Sequence, residues 1–264
     1  EVLGLAPVLA GSARADAPAV MLGAGTGLGK AIILPCVLPS CGRRRALRDS
    51  PLPDLAQSNG CGSFAGKLFI PDGFVDCSRV LPSEGGHSLF PFKGQEEAAF
   101  QEFLLRMTKR KEAIGDMVVT GSGLSAIYAY HNDDNFLRPS PEIAAKINGA
   151  IPNLPAPGMA SPGSGSDPLV KSLEWLARFY GRVARNFVLE VLALGGVYLS
   201  GGMLEHVPAL LGHSAFAAEF RGSESQHELL QEVPVNWVSN QEVGLWGAAL
   251  YSLQLLSQDN LPQA

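Results

Sequence analysis

The sequence predicts an α/β fold, and three observations predict it. Short apolar runs that read as strands alternate with longer amphipathic stretches that read as helices. Several of the strand candidates run into glycine-dense turns. The 264 residues are 46% hydrophobic, which is enough apolar material for one sizeable core or for one lobe of a larger two-lobed protein.

Taken in order, the elements begin with the apolar stretch from Val2 to Ala10, read as a short amphipathic helix closed by Gly11. Ala13-Arg14-Ala15 faintly resembles a signal-peptidase site, but no basic segment precedes the apolar run, so a secretory leader is not the reading. Ala19 to Leu22 is a strand candidate, followed by the turn Gly23-Ala24-Gly25-Thr26-Gly27-Leu28-Gly29 and a second strand candidate from Lys30 to Leu38. From Pro39 to about Phe64, Pro, Ser, Gly and the run Arg43-Arg44-Arg45 suggest an exposed, loop-rich insertion.

Gln95 to Met107 is helical by period, with Phe100, Phe103, Leu104 and Met107 on one face. Glu96 and Glu97 sit in its first turn and Lys109 to Lys111 follow its end, as the helix dipole favours. Val118 to Thr120 reads as a short buried strand running into Gly121-Ser122-Gly123, and Pro152 to Pro168 as a loop. The strongest helix starts after Asp167, a capping residue, with Pro168 in its first turn. Leu169, Leu173, Leu176, Tyr180, Val183, Phe187 and Val191 make one continuous apolar face, and Gly195-Gly196 is the expected stop. Strands at Val197 to Leu199 and Val233 to Val238 and a small-residue helix from Gly244 to Leu256 complete the series.

Charge and cysteine usage narrow the function. A net charge of -5 argues against a nucleic-acid partner, which needs a basic face, and no apolar run is long enough to span a bilayer. Cys36, Cys41, Cys61 and Cys77 form no C-x-x-C pair, so reduced thiols in a cytoplasmic protein are expected rather than a zinc site or disulfides.

Three motifs carry chemistry. The turn Gly23 to Gly29 is not a Walker A loop, since Ala24 replaces its first Gly and Ala31 its hydroxyl residue. Nor is it a dinucleotide fingerprint, because Leu28 stands at the last glycine and a strand follows. A strand–turn–strand with Thr26 at its tip remains. Its backbone N–H groups can approach phosphate oxygens, though a plain hairpin is also compatible. In Gly195-Gly196-Val197-Tyr198-Leu199-Ser200-Gly201-Gly202, a strand ending in a Gly pair lets a flat ligand lie against backbone, or simply eases packing. Glu84-Gly85-Gly86-His87 offers a carboxylate and an imidazole together, the mix of acceptor and donor that vicinal sugar hydroxyls need. A chance pairing in an exposed loop fits equally.

These motifs, with Val119-Thr120-Gly121-Ser122-Gly123-Leu124 and Val243-Gly244-Leu245-Trp246-Gly247-Ala248-Ala249, stand in an order that resembles the bacterial-type glucokinases. The resemblance implies a hexokinase-like, actin-like ATPase (ribonuclease H-like) large lobe, a mixed sheet flanked by helices. It spans residues 1–264, the insertion at about 39–64 excepted, with the small lobe absent. It implies that Gly23, Gly25, Thr26, Gly27 and Gly29 hold the β- and γ-phosphates of ATP, supplied with Mg²⁺, and that Gly201 and Gly202 lie beside the base and ribose. Glu84 and His87 match glucose-hydroxyl ligands, and Asp116 stands at a third ligand position where the family has the longer Glu.

The family's amino-terminal D-x-G-G-T loop and its Asn-Asp pair, whose Asp is the base, are not found in this sequence. Glu1-Val2-Leu3-Gly4 resembles the residues immediately after that Asp, so the base is expected upstream of Glu1 and this chain alone is expected to turn over negligibly. The implied activity is transfer of the ATP γ-phosphoryl group to the 6-hydroxyl of glucose, at the entry to glycolysis. The alternatives are a non-catalytic binding or scaffold protein derived from such a lobe and a kinase for another hexose, and a homodimer is left open.

Overall fold

The computed structural model describes residues 4–35, 79–150, 167–240 and 242–259. The cysteines, the Arg43–Arg45 run, the insertion at about 39–64 and most of the Pro152–Pro168 loop lie outside the described residues.

Six strands form one sheet: β1 (Leu5–Leu9), β2 (Ala19–Ala24), β3 (Leu28–Leu34), β4 (Arg79–Ser83), β5 (Val197–Ser200) and β6 (Val235–Val238), in the spatial order β1-β6-β5-β2-β3-β4. Its centre is parallel, β2 beside β5 and β5 beside β6, while β1, β3 and β4 pair antiparallel. The sheet is therefore mixed, as a crossover-built centre flanked by hairpin and edge strands requires.

The helices are α1 (Gly94–Thr108), α2 (Gly115–Val118), α3 (Gly121–His131), α4 (Ser140–Ala150), α5 (Pro168–Val191), α6 (Gly202–His206), α7 (Ala209–Gly212), α8 (Ser214–Arg221), α9 (His227–Glu232) and α10 (Val243–Asp259). The central one is α5. Asp167 caps it by accepting from the Leu169 N–H at 2.8 Å, and its apolar face buries Leu173, Leu176, Tyr180, Val183 and Phe187. Trp175 and Phe179 of α5 meet Phe100 of α1 edge-on and stacked, with ring centroids 5.6 and 6.1 Å apart, which joins the helices through a continuous aromatic core.

Three sequence expectations are corrected. The Val2–Ala10 stretch is not a helix where it is described. Leu5–Leu9 is an edge strand paired with β6, Ala6 opposite Trp237, with a register shift between Pro7 and Leu9. Pro7 removes a backbone donor, which an edge strand tolerates and a helix interior does not. Val118–Thr120 is not a strand either. Val118 ends the short helix α2, and Thr120 caps α3, its Oγ1 accepting from the Gly123 N–H at 3.4 Å. The hydroxyl thus satisfies a helix terminus where the apolar pair before it suggested a ladder. Finally, α5 stops before the glycines: Leu192 takes the left-handed conformation (φ 50°) after Val191, and Gly195-Gly196 belong to the approach to β5.

Boundaries move elsewhere by one to four residues, the most at the end of β3, which lies at Leu34 where Leu38 was expected. β2 runs on to Ala24, and β3 starts at Leu28 rather than Lys30, so the hairpin is tighter than the glycine run suggested. β6 starts at Val235, and α4 and the short helices from α6 to α9 carried no signal strong enough to be read.

Candidate functional site

The β2–β3 turn is the hub of the site. Within it, Gly25 N–H bonds Gly27 O at 3.0 Å, and Thr26 at the tip is exposed. The amides of Thr26 and Gly27 make no hydrogen bond among the described residues, so two adjacent donors stay open to an acceptor.

Three other motifs of the sequence reach this turn. Parallel pairing sets Gly23 opposite Ser200, and the next residue, Gly201, lies so close to Ala24 that a Cβ there would strike the Ala24 backbone. Gly201 also adopts φ 105° and ψ 154°, a region that glycine alone populates freely. Gly202 follows as the first residue of α6. The first amide of α3, Gly121 N–H, donates to Gly25 O at 3.1 Å, which ties the Thr120–Gly123 motif to the same turn.

The Glu84–His87 segment forms a single 3₁₀ turn after β4. Gly86 packs on Leu28, and its Cβ would collide with the Leu28 carbonyl. His87 Nδ1 lies 3.2 Å from Glu84 Oε2, and the two side chains are 64% and 94% exposed, so both keep hydrogen-bonding capacity for a ligand. Beyond this turn, residues 88–90 run beside 113–115: Phe90 N–H bonds Ala113 O at 2.9 Å, and Gly115 N–H bonds Ser88 O at 3.0 Å. That pairing delivers Asp116, in the first turn of α2, to the hub, where its Oδ1 accepts the Leu28 N–H at 2.6 Å. Sequence reasoning placed Asp116 near the sugar position but gave no sign of this bond, because it joins residues 88 positions apart.

Lys30 is one position past the turn, where a Walker A lysine would stand. Its Nζ sits 4.8 Å over the Phe187 ring of α5, and burial lowers its pKa despite the partly offsetting charge of Glu190. A Cβ on Gly85 would lie 3.3 Å from this ammonium, so Lys30 supports the underside of the Glu84–His87 turn.

The 88–93 segment after that turn is anchored by a buried ion network. Arg182 of α5 donates twice to Glu97 of α1, at 2.6 and 2.9 Å, twice to Glu219 of α8, at 2.9 Å through Nε and 3.3 Å through Nη2, and to Pro91 O at 2.8 Å. Lys93 reaches Glu219 at 2.7 Å. Burial alone would raise the Glu219 carboxyl, but Arg182 and Lys93 outweigh it and hold the group at about 2. Arg182 lay among the apolar positions of α5 and Glu97 among dipole charges of α1, so neither gave a sequence signal of this role.

Among the described residues no group of three His, Cys, Asp or Glu stands close enough to hold a metal ion, and no helix is long and apolar enough to cross a membrane.

Comparison with known proteins gives the family and the fold. A family model described as Glucokinase matches residues 70–255. The chain is 30% identical over 256 residues to a glucokinase of Nostoc sp., across 93% of this chain and 64% of that protein. It is 29% identical over 263 residues to a glucokinase of Pseudomonas aeruginosa, across 97% of this chain and 62% of that protein. It therefore spans somewhat under two thirds of the length of these relatives. Among solved structures, a glucokinase from an Antarctic psychrotroph superposes with a TM-score of 0.64 at 21% identity, covering 95% of this chain and 62% of the other. A Balamuthia mandrillaris glucokinase in complex with glucose gives 0.59 at 18%, covering 89% and 55%. At such identities the structures establish the fold alone, a mixed sheet flanked by helices. With the family model covering most of its length, the chain belongs to the glucokinase family.

Proposed function

We propose that this chain is the larger, carboxy-terminal lobe of a cytoplasmic glucokinase that transfers the γ-phosphoryl group of ATP to glucose. The observation that carries the reading is the convergence of three separate sequence motifs on the β2–β3 turn. Thr26 and the amides at the tip, with Gly23, Gly25, Gly27 and Gly29 around them, take the β- and γ-phosphates. Gly201 and Gly202, bare of side chains beside Ala24, leave room for the base and ribose. Glu84 and His87, exposed and adjacent, bind the hydroxyls of the sugar, the ligand named for the Balamuthia relative.

Phosphoryl transfer rests on positioning and on electrostatic stabilisation, and these residues supply positioning. The turn offers N–H donors rather than oxygen ligands, and Asp116 already spends one oxygen on Leu28, so the residues present do not form a Mg²⁺ cage. Any Mg²⁺ accompanies the nucleotide phosphates, and no step is assigned to it. The carboxylate that takes the hydroxyl proton is assigned to no residue of the 264.

Calorimetry on the purified chain tests the proposal. Saturable binding of glucose, and of ATP with magnesium, is expected, with negligible turnover in a coupled assay. A chain that binds neither ligand sinks the kinase reading in favour of a scaffold. Turnover at ordinary kinase rates would place the base within the chain.

A further inference from the structure

Resting on that reading, we propose that Asp116 is a positioning residue for the phosphate-binding turn and not a ligand of the sugar. Its Oδ1 accepts the Leu28 N–H at 2.6 Å and would lie 3.0 Å from a Cβ on Gly27, so the carboxylate is pressed against the backbone of the turn itself. Its own backbone is held from two sides. Thr120 Oγ1 donates to Asp116 O at 2.7 Å, and the preceding Gly115 is bonded to Ser88 beyond the Glu84–His87 turn.

The consequence concerns which donors face a phosphate. Gly25 N–H is used by Gly27 O and Leu28 N–H by Asp116, which leaves the neighbouring amides of Thr26 and Gly27 as the pair without partners among the described residues. A charged acceptor makes a short, strong bond to an amide and so fixes the orientation of the peptide planes on either side of it. Asp116 thereby sets the direction of the two remaining donors. The length of an aspartate suits this role, because one more methylene would push the carboxylate past Leu28 N or out of the contact. The sugar is then held by Glu84 and His87, with one carboxylate fewer than three ligands would give.

The test compares the 264-residue chain with Asp116→Ala and Asp116→Asn, titrating each with glucose and with ATP plus magnesium, and following the Leu28 amide by hydrogen exchange. The asparagine keeps an acceptor oxygen at the same reach, and the alanine removes it. The expected result is nucleotide binding weakened about tenfold in Asp116→Ala but within about threefold of the parent in Asp116→Asn, with glucose binding unchanged in both. Leu28 exchange is expected to accelerate by about tenfold or more in the alanine variant alone.

Glucose binding lost in both variants with nucleotide binding intact would overturn the proposal in favour of a sugar ligand. Parallel loss of both ligands and of thermal stability, without rescue by asparagine, would reduce Asp116 to a structural residue and also overturn it. A parent chain that binds neither ligand refutes the kinase reading. The Leu28 exchange rates then decide the clamp alone, and equal protection in parent and alanine variant sinks it.

Discussion

Behind the 88–93 segment that follows the Glu84–His87 turn, Arg182 and Glu97 face each other with side chains 1% and 6% exposed, while on the turn itself His87 and Glu84 face each other at 64% and 94%. Both are pairs of a basic and an acidic group at bonding distance, yet the surroundings give them opposite work. The buried guanidinium donates to two carboxylates and a carbonyl, and each partner comes from a different segment: α1, α8 and the strand-like stretch at Pro91. Charges withdrawn from water this way must be fully bonded, and breaking one leaves the rest stranded. The exposed pair stays hydrated, couples weakly, and can be opened by a ligand at little cost. Rigidity in the segment that follows and availability on the turn itself are what a binding turn needs.

The sharpest way to break this contrast is Arg182→Met, which keeps the bulk and removes the charge. It should cost about 3–5 kcal/mol, because Glu97 and Glu219 lose their shared partner inside the protein. Urea denaturation measures it, and a loss near zero would mean that the network contributes nothing to stability.

Next in size is the exposed pair. Glu84→Gln and His87→Ala should leave the urea midpoint where it is while weakening glucose binding about tenfold or more in calorimetry. A shifted midpoint with unchanged glucose affinity would reverse the roles assigned to the two pairs.

The remaining effect is in pH. Glu219 is held at about 2 in the folded chain against about 4.3 for an unfolded glutamate, so its contribution is complete above the higher value and fades as pH falls toward the lower. His131 shifts for a different reason. Burial first, then the charges of Lys171 and Arg178, lower it from 6.5 to about 4. The unfolded chain binds more protons between those values, so stability drops as pH falls through that window as well. Denaturation midpoints from about pH 7 to about pH 3 should therefore decline in two stages, and Glu219→Gln should flatten the lower one. A single flat profile would remove both assignments.

The path of the chain through α5 was legible because its signals are local. Asp167 and Pro168 mark the start, and the apolar spacing after them needs no distant partner to be read. The glycine turn between β2 and β3 was legible for the same reason, as were the strand β5 and its Gly pair. β1 was not, because five residues with a proline carry no decisive period, and only the open edge of β6 makes them a strand. Thr120 likewise reads as strand until Gly123 is seen to need its oxygen.

What the sequence determined by itself is which residue types stand at each turn: the glycines of the β2–β3 hairpin, the Gly pair after β5, the acid and imidazole of the Glu84–His87 turn, and the order in which they occur. That they meet, that Asp116 bonds the β2–β3 turn, and that Arg182 anchors the segment after the Glu84–His87 turn were decided only by the tertiary structure. The bonds from Asp116 to Leu28 and from Arg182 to Glu97 join residues 88 and 85 positions apart. Pairings at such range follow from sheet order and helix packing, and no periodicity or spacing along the chain encodes them.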